Sequence, residues 1–153
     1  MGYYTQQIVT EKGSEAIART VAKQSTLTFT SIKTGAGKYS IYEISKLSSA
    51  TELKDEKQTF DINSISSNEN TIQLASILTN VGVTEAYEIC EIGLFAKEND
   101  GEEFLAAISL NAENPALMPV FDKVPIEMQV GDFLAVSNSE NFNIQYKSAA
   151  YVT

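Results

Sequence analysis

Residues 85–110 read EAYEICEIGLFAKENDGEEFLAAISL. Two runs of β-forming residues, Tyr87–Ala96 and Phe104–Leu110, flank the charged segment KENDGEE. Asp100-Gly101 tolerates positive φ and suits a hairpin turn. Side chains alternate across a strand. Cys90, Ile92, Leu94 and Ala96 then share one face, which the apolar pattern assigns to a core. Tyr87, Ile89, Glu91, Gly93 and Phe95 share the other. Glu91 and Gly93 interrupt that second face, so it is expected to be covered in part or to meet another backbone closely. The stretch predicts a central β-hairpin.

Working outward, the N-terminal side opens with a polar arm, Met1–Val9. Thr10 is placed to cap a helix from Glu11 to about Lys23. Glu11 at its start, with Arg19 and Lys23 towards its end, suit the helix dipole. Ile17, Val21 and the neighbouring alanines form a narrow apolar stripe, while Gly13 weakens the first turn. LTFTSIK, residues 27–33, reads as a strand. It runs into Thr34-Gly35-Ala36-Gly37, where the glycines predict a turn of unusual φ. A phosphate loop needs GxxxxGK[ST], a spacing absent here. Tyr39–Leu47 is irregular, and a short helix is expected around Leu47.

Gln58–Ser66 and Thr71–Thr79, joined by SSNEN, predict a second hairpin. On the C-terminal side, Pro115, Pro119 and Pro125 mark an extended loop or edge. A strand from Pro125 to Val130 bends at Gly131-Asp132 and resumes at Phe133–Val136. Phe142, Ile144 and Tyr146 alternate in a last strand. The expected fold is α+β and mainly β, an antiparallel sandwich or partly open barrel with one N-terminal helix, in a single domain over 1–153.

The 153 residues carry 11 basic and 20 acidic side chains, a net charge of −9. Nucleic acid is disfavoured as a partner, because phosphate binding needs a basic surface. The balance is uneven. Residues 1–50 hold six basic and three acidic groups, and residues 51–153 hold five and seventeen. No histidine is present, which excludes His-based triads and the usual zinc sites. The single cysteine, Cys90, reads as a buried inert thiol. Glu88, Glu91, Glu102 and Glu103 are the candidate carboxylates, but a glycosidase reading is weak in a chain without tryptophan. Glu102 and Glu103 follow a turn and are expected to be solvated. ENDGEE lacks calcium-loop spacing. No catalytic residue, cofactor or metal site is assigned. Glu91 is expected to accept bonds from a backbone or from Arg19, the only arginine. No apolar run approaches membrane-spanning length, and MGYYTQQIVT lacks signal-peptide pattern, so synthesis in a cytoplasm is expected.

The central stretch also resembles a known family. Tyr87, then Glu91-Ile92-Gly93-Leu94-Phe95-Ala96, the Asp100-Gly101 turn and Phe104-Leu105-Ala106 are similar to the signature of the N-terminal domain of phage tail-fibre (tail-collar fibre) proteins. TFTSIKTGAG and the T-x-x-G at Thr10 add to the likeness. The resemblance implies a structural, non-enzymatic component of a phage tail or phage-tail-like bacteriocin, located in the virion. It implies a homotrimer that binds the baseplate or other tail proteins, with the signature residues structural. The family's shaft would begin where this sequence stops, at Thr153, so an adaptor or baseplate role is expected if the chain is complete. Tyr3, Tyr4, Tyr39, Tyr42 and Tyr151 are candidate interface residues. Alternatively they stack on sugars in a free-standing β-sandwich carbohydrate-binding module.

Overall fold

The computed structural model describes residues 7–68, 71–111, 113–123, 125–135 and 144–146. The chain runs β1 (Ile8–Val9), α1 (Glu11–Val21), β2 (Leu27–Gly35), α2 (Ile41–Ile44), a 3₁₀ turn (Leu47–Ser49), β3 (Glu56–Phe60), β4 (Ser64–Asn68) and β5 (Thr71–Thr79). It continues through β6 (Tyr87–Ile89), β7 (Glu91–Glu98), β8 (Phe104–Leu110), β9 (Ala116–Met118), β10 (Glu127–Ala135) and β11 (Ile144–Tyr146).

The largest sheet has the order β1-β8-β7-β2-β11, with β3 also pairing β2. A second sheet has the order β10-β5-β4, and β6 pairs β9 in a third. All pairings are antiparallel except β11 on β2. The sheets do not close into a barrel, so the fold is α+β and mainly β.

Three bulges shape the large sheet, one of them at Lys57 on β3, between Thr34↔Gln58 and Gly35↔Glu56; the other two lie on β8 and β2. Ala106 is an extra residue on β8, between the pairs Leu94↔Ala107 and Phe95↔Leu105. Thr30 is an extra residue on β2, between Phe29↔Ala96 and Ser31↔Phe95. A bulge re-aims the groups around it. At the β8 bulge, the Ala106 carbonyl turns towards α1 and accepts from the Thr10 N–H at 2.9 Å. The Thr10 hydroxyl donates to the Leu105 carbonyl at 2.7 Å and accepts from the Gly13 N–H at 3.0 Å. One threonine therefore caps the helix and fastens it to the sheet. A Cβ on Gly13 would overlap the Ala106 carbonyl, so this glycine serves close approach. The buried face of α1 is Gly13, Ala16 and Thr20, with Ile17 and Val21 only partly covered. The stripe expected on Ile17 and Val21 is thus rotated, because a small-residue face lets the helix lie closer to β8.

The main core fills the space between the large sheet, β5, β6 and α1, and includes Phe29, Ile32, Leu74, Leu78, Leu94 and Met118. A second core lies on the opposite side of β7 and β8. There Phe95, Leu105, Ile108 and Leu110 meet Leu47 and Leu53. Both faces of β7 are consequently buried, and the second is fully covered where partial cover was expected. Gly93 meets side chains of Leu105 and Leu53, not another backbone.

The run Tyr87–Ala96 is not one strand. It breaks at Cys90, whose N–H donates to the Gly35 carbonyl at 2.9 Å and whose carbonyl accepts from Asn111 at 2.9 Å. The break shifts the phase, so Tyr87 and Ile89 join Ile92 and Leu94 in the main core. Other boundaries move as well. Gln58–Ser66 divides between β3, which joins the large sheet, and β4, which pairs β5 as the predicted hairpin. Gly131-Asp132 makes no bend, since β10 pairs β5 continuously from Glu127 to Ala135. Ile8–Val9 is an edge strand on β8 within the expected arm. The hairpin turn places its positive φ at Asn99, φ 52°, with Gly101 N–H donating to the Glu98 carbonyl at 3.0 Å. The expected left-handed site was one or two residues later.

Candidate functional site

Glu91 begins β7 with its side chain wholly buried. Its carboxylate accepts four hydrogen bonds. Oε2 accepts from the N–H of Gly37 at 2.9 Å and of Asp55 at 2.8 Å. Oε1 accepts from the N–H of Lys54 at 2.9 Å and from the Tyr39 hydroxyl at 2.5 Å. A buried carboxylate is tolerable only when so satisfied. The Tyr39 phenol is pushed above its ordinary pKa by burial and by its bond to Glu91. Arg19 takes no part in this. Its guanidinium forms a bidentate pair with Glu98 at 2.6 and 2.8 Å.

The four donors come from the two ends of one loop. Gly37 and Tyr39 lie where it leaves β2, and Lys54 and Asp55 where it returns to β3. Ala36 N–H closes the same neck on the Asp55 carbonyl at 2.9 Å. Glu91 is therefore a clasp on a loop whose ends meet, as in an Ω-loop. The glycines explain themselves here. Neither Gly35 nor Gly37 has a positive φ, so the expected turn of unusual φ is not formed. A Cβ at Gly35 would stand 2.5 Å from Glu91 Oε2, and one at Gly37 closer still. The glycines make room for the carboxylate.

The clasped loop carries α2, in the segment expected to be irregular. Ser40 and Glu43 form a reciprocal capping box around it. Lys54 Nζ binds the Glu43 carboxylate at 2.8 Å and holds its pKa down at about 2, with the Ser40 N–H helping. On this braced turn Ile41 is 88% exposed and Tyr42 68%. The underside of the loop, Leu47 and Leu53, is buried.

A second exposed apolar area surrounds Asn80. The buried Asn80 amide donates to the Val120 carbonyl at 3.1 Å and accepts from the Ile126 N–H at 2.7 Å. Phe121 N–H donates to the Val83 carbonyl at 3.0 Å. These bonds tie residues 120–126 to the turn after β5. Val81 is 55% exposed and Leu117 58%, with Val120, Phe121 and Ile126 exposed beside them. A groove of about 660 Å³ runs between this turn and residues 36–38 and 55–58.

Of the other signature residues, Tyr87 is buried and its hydroxyl meets Thr34 at 2.7 Å and Gln58 at 2.6 Å. Ile92 and Leu94 lie in the main core, Phe95 in the second, and Asp100 and Gly101 in the exposed turn. Of the candidate interface tyrosines, Tyr42 is exposed and Tyr39 is half-buried on Glu91. Tyr3, Tyr4 and Tyr151 lie outside the described residues. Glu103 is not simply solvated. Burial pushes its carboxyl up, but hydrogen bonds from Thr30 and Lys33 outweigh this and hold it below the usual range. Its partners Thr30 and Ser31 sit at the β2 bulge. Cys90 is buried, and burial raises its thiol pKa.

The candidate carboxylates do not converge: Glu91 is consumed in the clasp, Glu103 binds β2, and Glu88 is exposed at the groove, 3.7 Å from Lys38 Nζ. Among the described residues no group of three or more His, Cys, Asp or Glu is placed to hold a metal, and no helix is long and apolar enough to cross a membrane. Sequence reasoning missed the Asn80 junction, which leaves no local signal. It also missed α2, although Ser40-Ile41-Tyr42-Glu43 has capping-box spacing.

Among the described residues, the buried polar side chains of Glu91 and Asn80 brace loops that carry exposed apolar side chains on a mainly β fold. The family model for the phage tail-collar fibre protein N-terminal domain matches residues 1–115, and the chain belongs to that family. Membership carries a structural role in a phage tail, in contact with other tail proteins. No curated protein and no solved structure matches the chain.

Proposed function

We propose that this protein attaches a tail fibre to the baseplate, or acts as a short fibre or baseplate adaptor, of a phage or phage-tail-like bacteriocin. Residues 1–153 then form one attachment domain, assembled as a homotrimer. The signature residues Tyr87, Glu91–Phe95, Asp100 and Gly101 serve the fold, and the docking surfaces lie elsewhere. The observation that carries this reading is the loop clasped by Glu91. Four hydrogen bonds to one buried carboxylate hold a turn whose apolar side chains face solvent. Such a turn is a pre-formed contact surface, which saves ordering entropy on binding. No catalytic role is assigned to any side chain.

The test is deletion of the gene followed by negative-stain imaging of the particles. Tails without fibres, restored by the wild-type protein, are expected. Intact fibres in the deletion strain refute the attachment role. Binding of the isolated protein to a glycan array would instead support a carbohydrate-binding module.

A further inference from the structure

The loop from Lys38 to Asp55 is bonded closely to itself. Lys54 Nζ donates to the Lys38 carbonyl at 2.8 Å and pairs with Glu43, and the capping box closes α2. Ala36 and Asp55 join across the neck. All of these bonds survive if the loop swings as one piece. Its ties to the body run through the Glu91 carboxylate, the exposed Lys38–Glu88 pair at 3.7 Å, and the buried side chains of Leu47 and Leu53. Ala50 and Tyr39 pack partly beside those leucines. Among the described residues, none from 38 to 55 belongs to the main core. Both ends of the loop have a place to bend. Gly35 and Gly37 stand where it leaves β2, and the Lys57 bulge interrupts the ladder where it returns. A glycine backbone and a broken ladder both absorb rotation.

We propose that residues 38–55 open as a single unit on these two hinges, with Glu91 as the latch, while the main core stays folded. Units that open locally are those with few buried apolar contacts, and this loop has two buried side chains. The latch is one acceptor serving donors at both ends of the loop, so its loss frees both ends together. Opening uncovers Phe95, Leu105, Ile108 and Leu110 of the second core. It also uncovers Cys90. This single cysteine is 2% exposed and lies outside both cores. Its N–H donates to the Gly35 carbonyl at the hinge, and it borders the groove walled by residues 36–38 and 55–58. The neck of the loop is thus its cover, and the thiol reports when the neck moves. Closed, the loop presents the braced turn already described; open, it bares a second apolar face of the large sheet.

Labelling of Cys90 in the full-length native chain by a small aromatic disulfide reagent tests this. When labelling is slow relative to reclosing, its rate follows the open population. In wild type that rate is expected to rise only weakly with urea, because little surface is exposed, whereas unfolding followed by circular dichroism responds steeply. Glu91→Ala is expected to raise the rate about tenfold or more, and Glu91→Gln by less. Leu74→Ala, on β5 in the main core, is expected to lower the melting temperature and leave the labelling rate unchanged. Circular dichroism establishes that the variants are folded. Should Glu91→Ala or Leu74→Ala fail to fold, Glu91→Gln or Leu74→Val takes its place. A wild-type rate that tracks global unfolding in urea, Glu91 variants that label at the wild-type rate, or a Leu74 variant that labels as fast as the Glu91 variant overturns the proposal. None of these outcomes touches the particle-imaging test of the tail role.

Discussion

At the scale of single residues, Glu91 has the most at stake. Replacing it with alanine removes the acceptor of three backbone N–H groups and one phenol in a buried place. Leaving buried donors unpaired costs about 1–3 kcal/mol each where water cannot replace the acceptor. Partial rehydration at the loop neck reduces the sum, and a loss of about 3 kcal/mol is expected, a Tm lower by roughly 6–12 °C. Glu91→Gln is expected to fall between wild type and Glu91→Ala, since its amide nitrogen faces a donor. Thermal melts check both, and unchanged melting in either contradicts the clasp. Gly37→Ala is the complementary change. Its Cβ would press on Glu91 Oε2 and, at 2.6 Å, on Lys54 Cβ. Crowding of this kind costs about 1–3 kcal/mol. Because the crowding is partly with Glu91 itself, the double variant Gly37→Ala/Glu91→Ala is expected to lose less than the sum of the singles. Strict additivity in a double-mutant cycle would show that the two residues do not share a site.

At the scale of elements, α1 reverses an ordinary expectation. In an isolated helix Gly→Ala stabilises by about 0.5–1 kcal/mol. Gly13→Ala is nonetheless expected to lower the melting temperature, because the new Cβ falls on the Ala106 carbonyl. Thr10→Ala is expected to cost about 1–2 kcal/mol through the lost cap, and Thr10→Ser to recover most of it. A Gly13→Ala variant more stable than wild type would mean the helix does not lie on the β8 bulge. The sequence made Thr10, the helix start and the second hairpin legible, since each depends on neighbours in the chain. It also placed Ile92, Leu94 and Ala96 in the core, because their alternation is local. It did not disclose the bulges at Thr30 and Ala106, which arise only from register between strands. The break at Cys90 was hidden for a similar reason. An apolar run buried on both faces has no period to reveal where its phase slips. Glycines 35 and 37 looked like turn residues, for the carboxylate they accommodate lies 54 positions away from Gly37. The clasp was half visible: Glu91 stood out as a charge in an apolar run, but nothing local named Tyr39, Lys54 and Asp55 as its partners.

At the scale of the whole molecule, several carboxylates are more acidic folded than free. The Arg19 guanidinium beside Glu98 lowers its pKa, Lys54 and Ser40 hold Glu43 at about 2, and Thr30 and Lys33 outweigh burial at Glu103. A carboxyl with a depressed folded pKa contributes stability above its ordinary pKa. That contribution is lost as pH falls through the folded value. Melting temperature is therefore expected to hold at neutral pH and to decline below the ordinary glutamate value of 4.5 towards the region near 2. Salt weakens the exposed Arg19–Glu98 and Lys54–Glu43 pairs, so the acid slope is shallower at high ionic strength. A melting temperature that rises on acidification contradicts these pairings. At this scale too, a fold that braces its own surface loops serves as a structural part of a phage tail. Quantitative mass spectrometry of gradient-purified particles tests that most directly. This chain is expected at a constant ratio to the baseplate proteins across preparations, and its absence from intact purified particles would contradict the tail role.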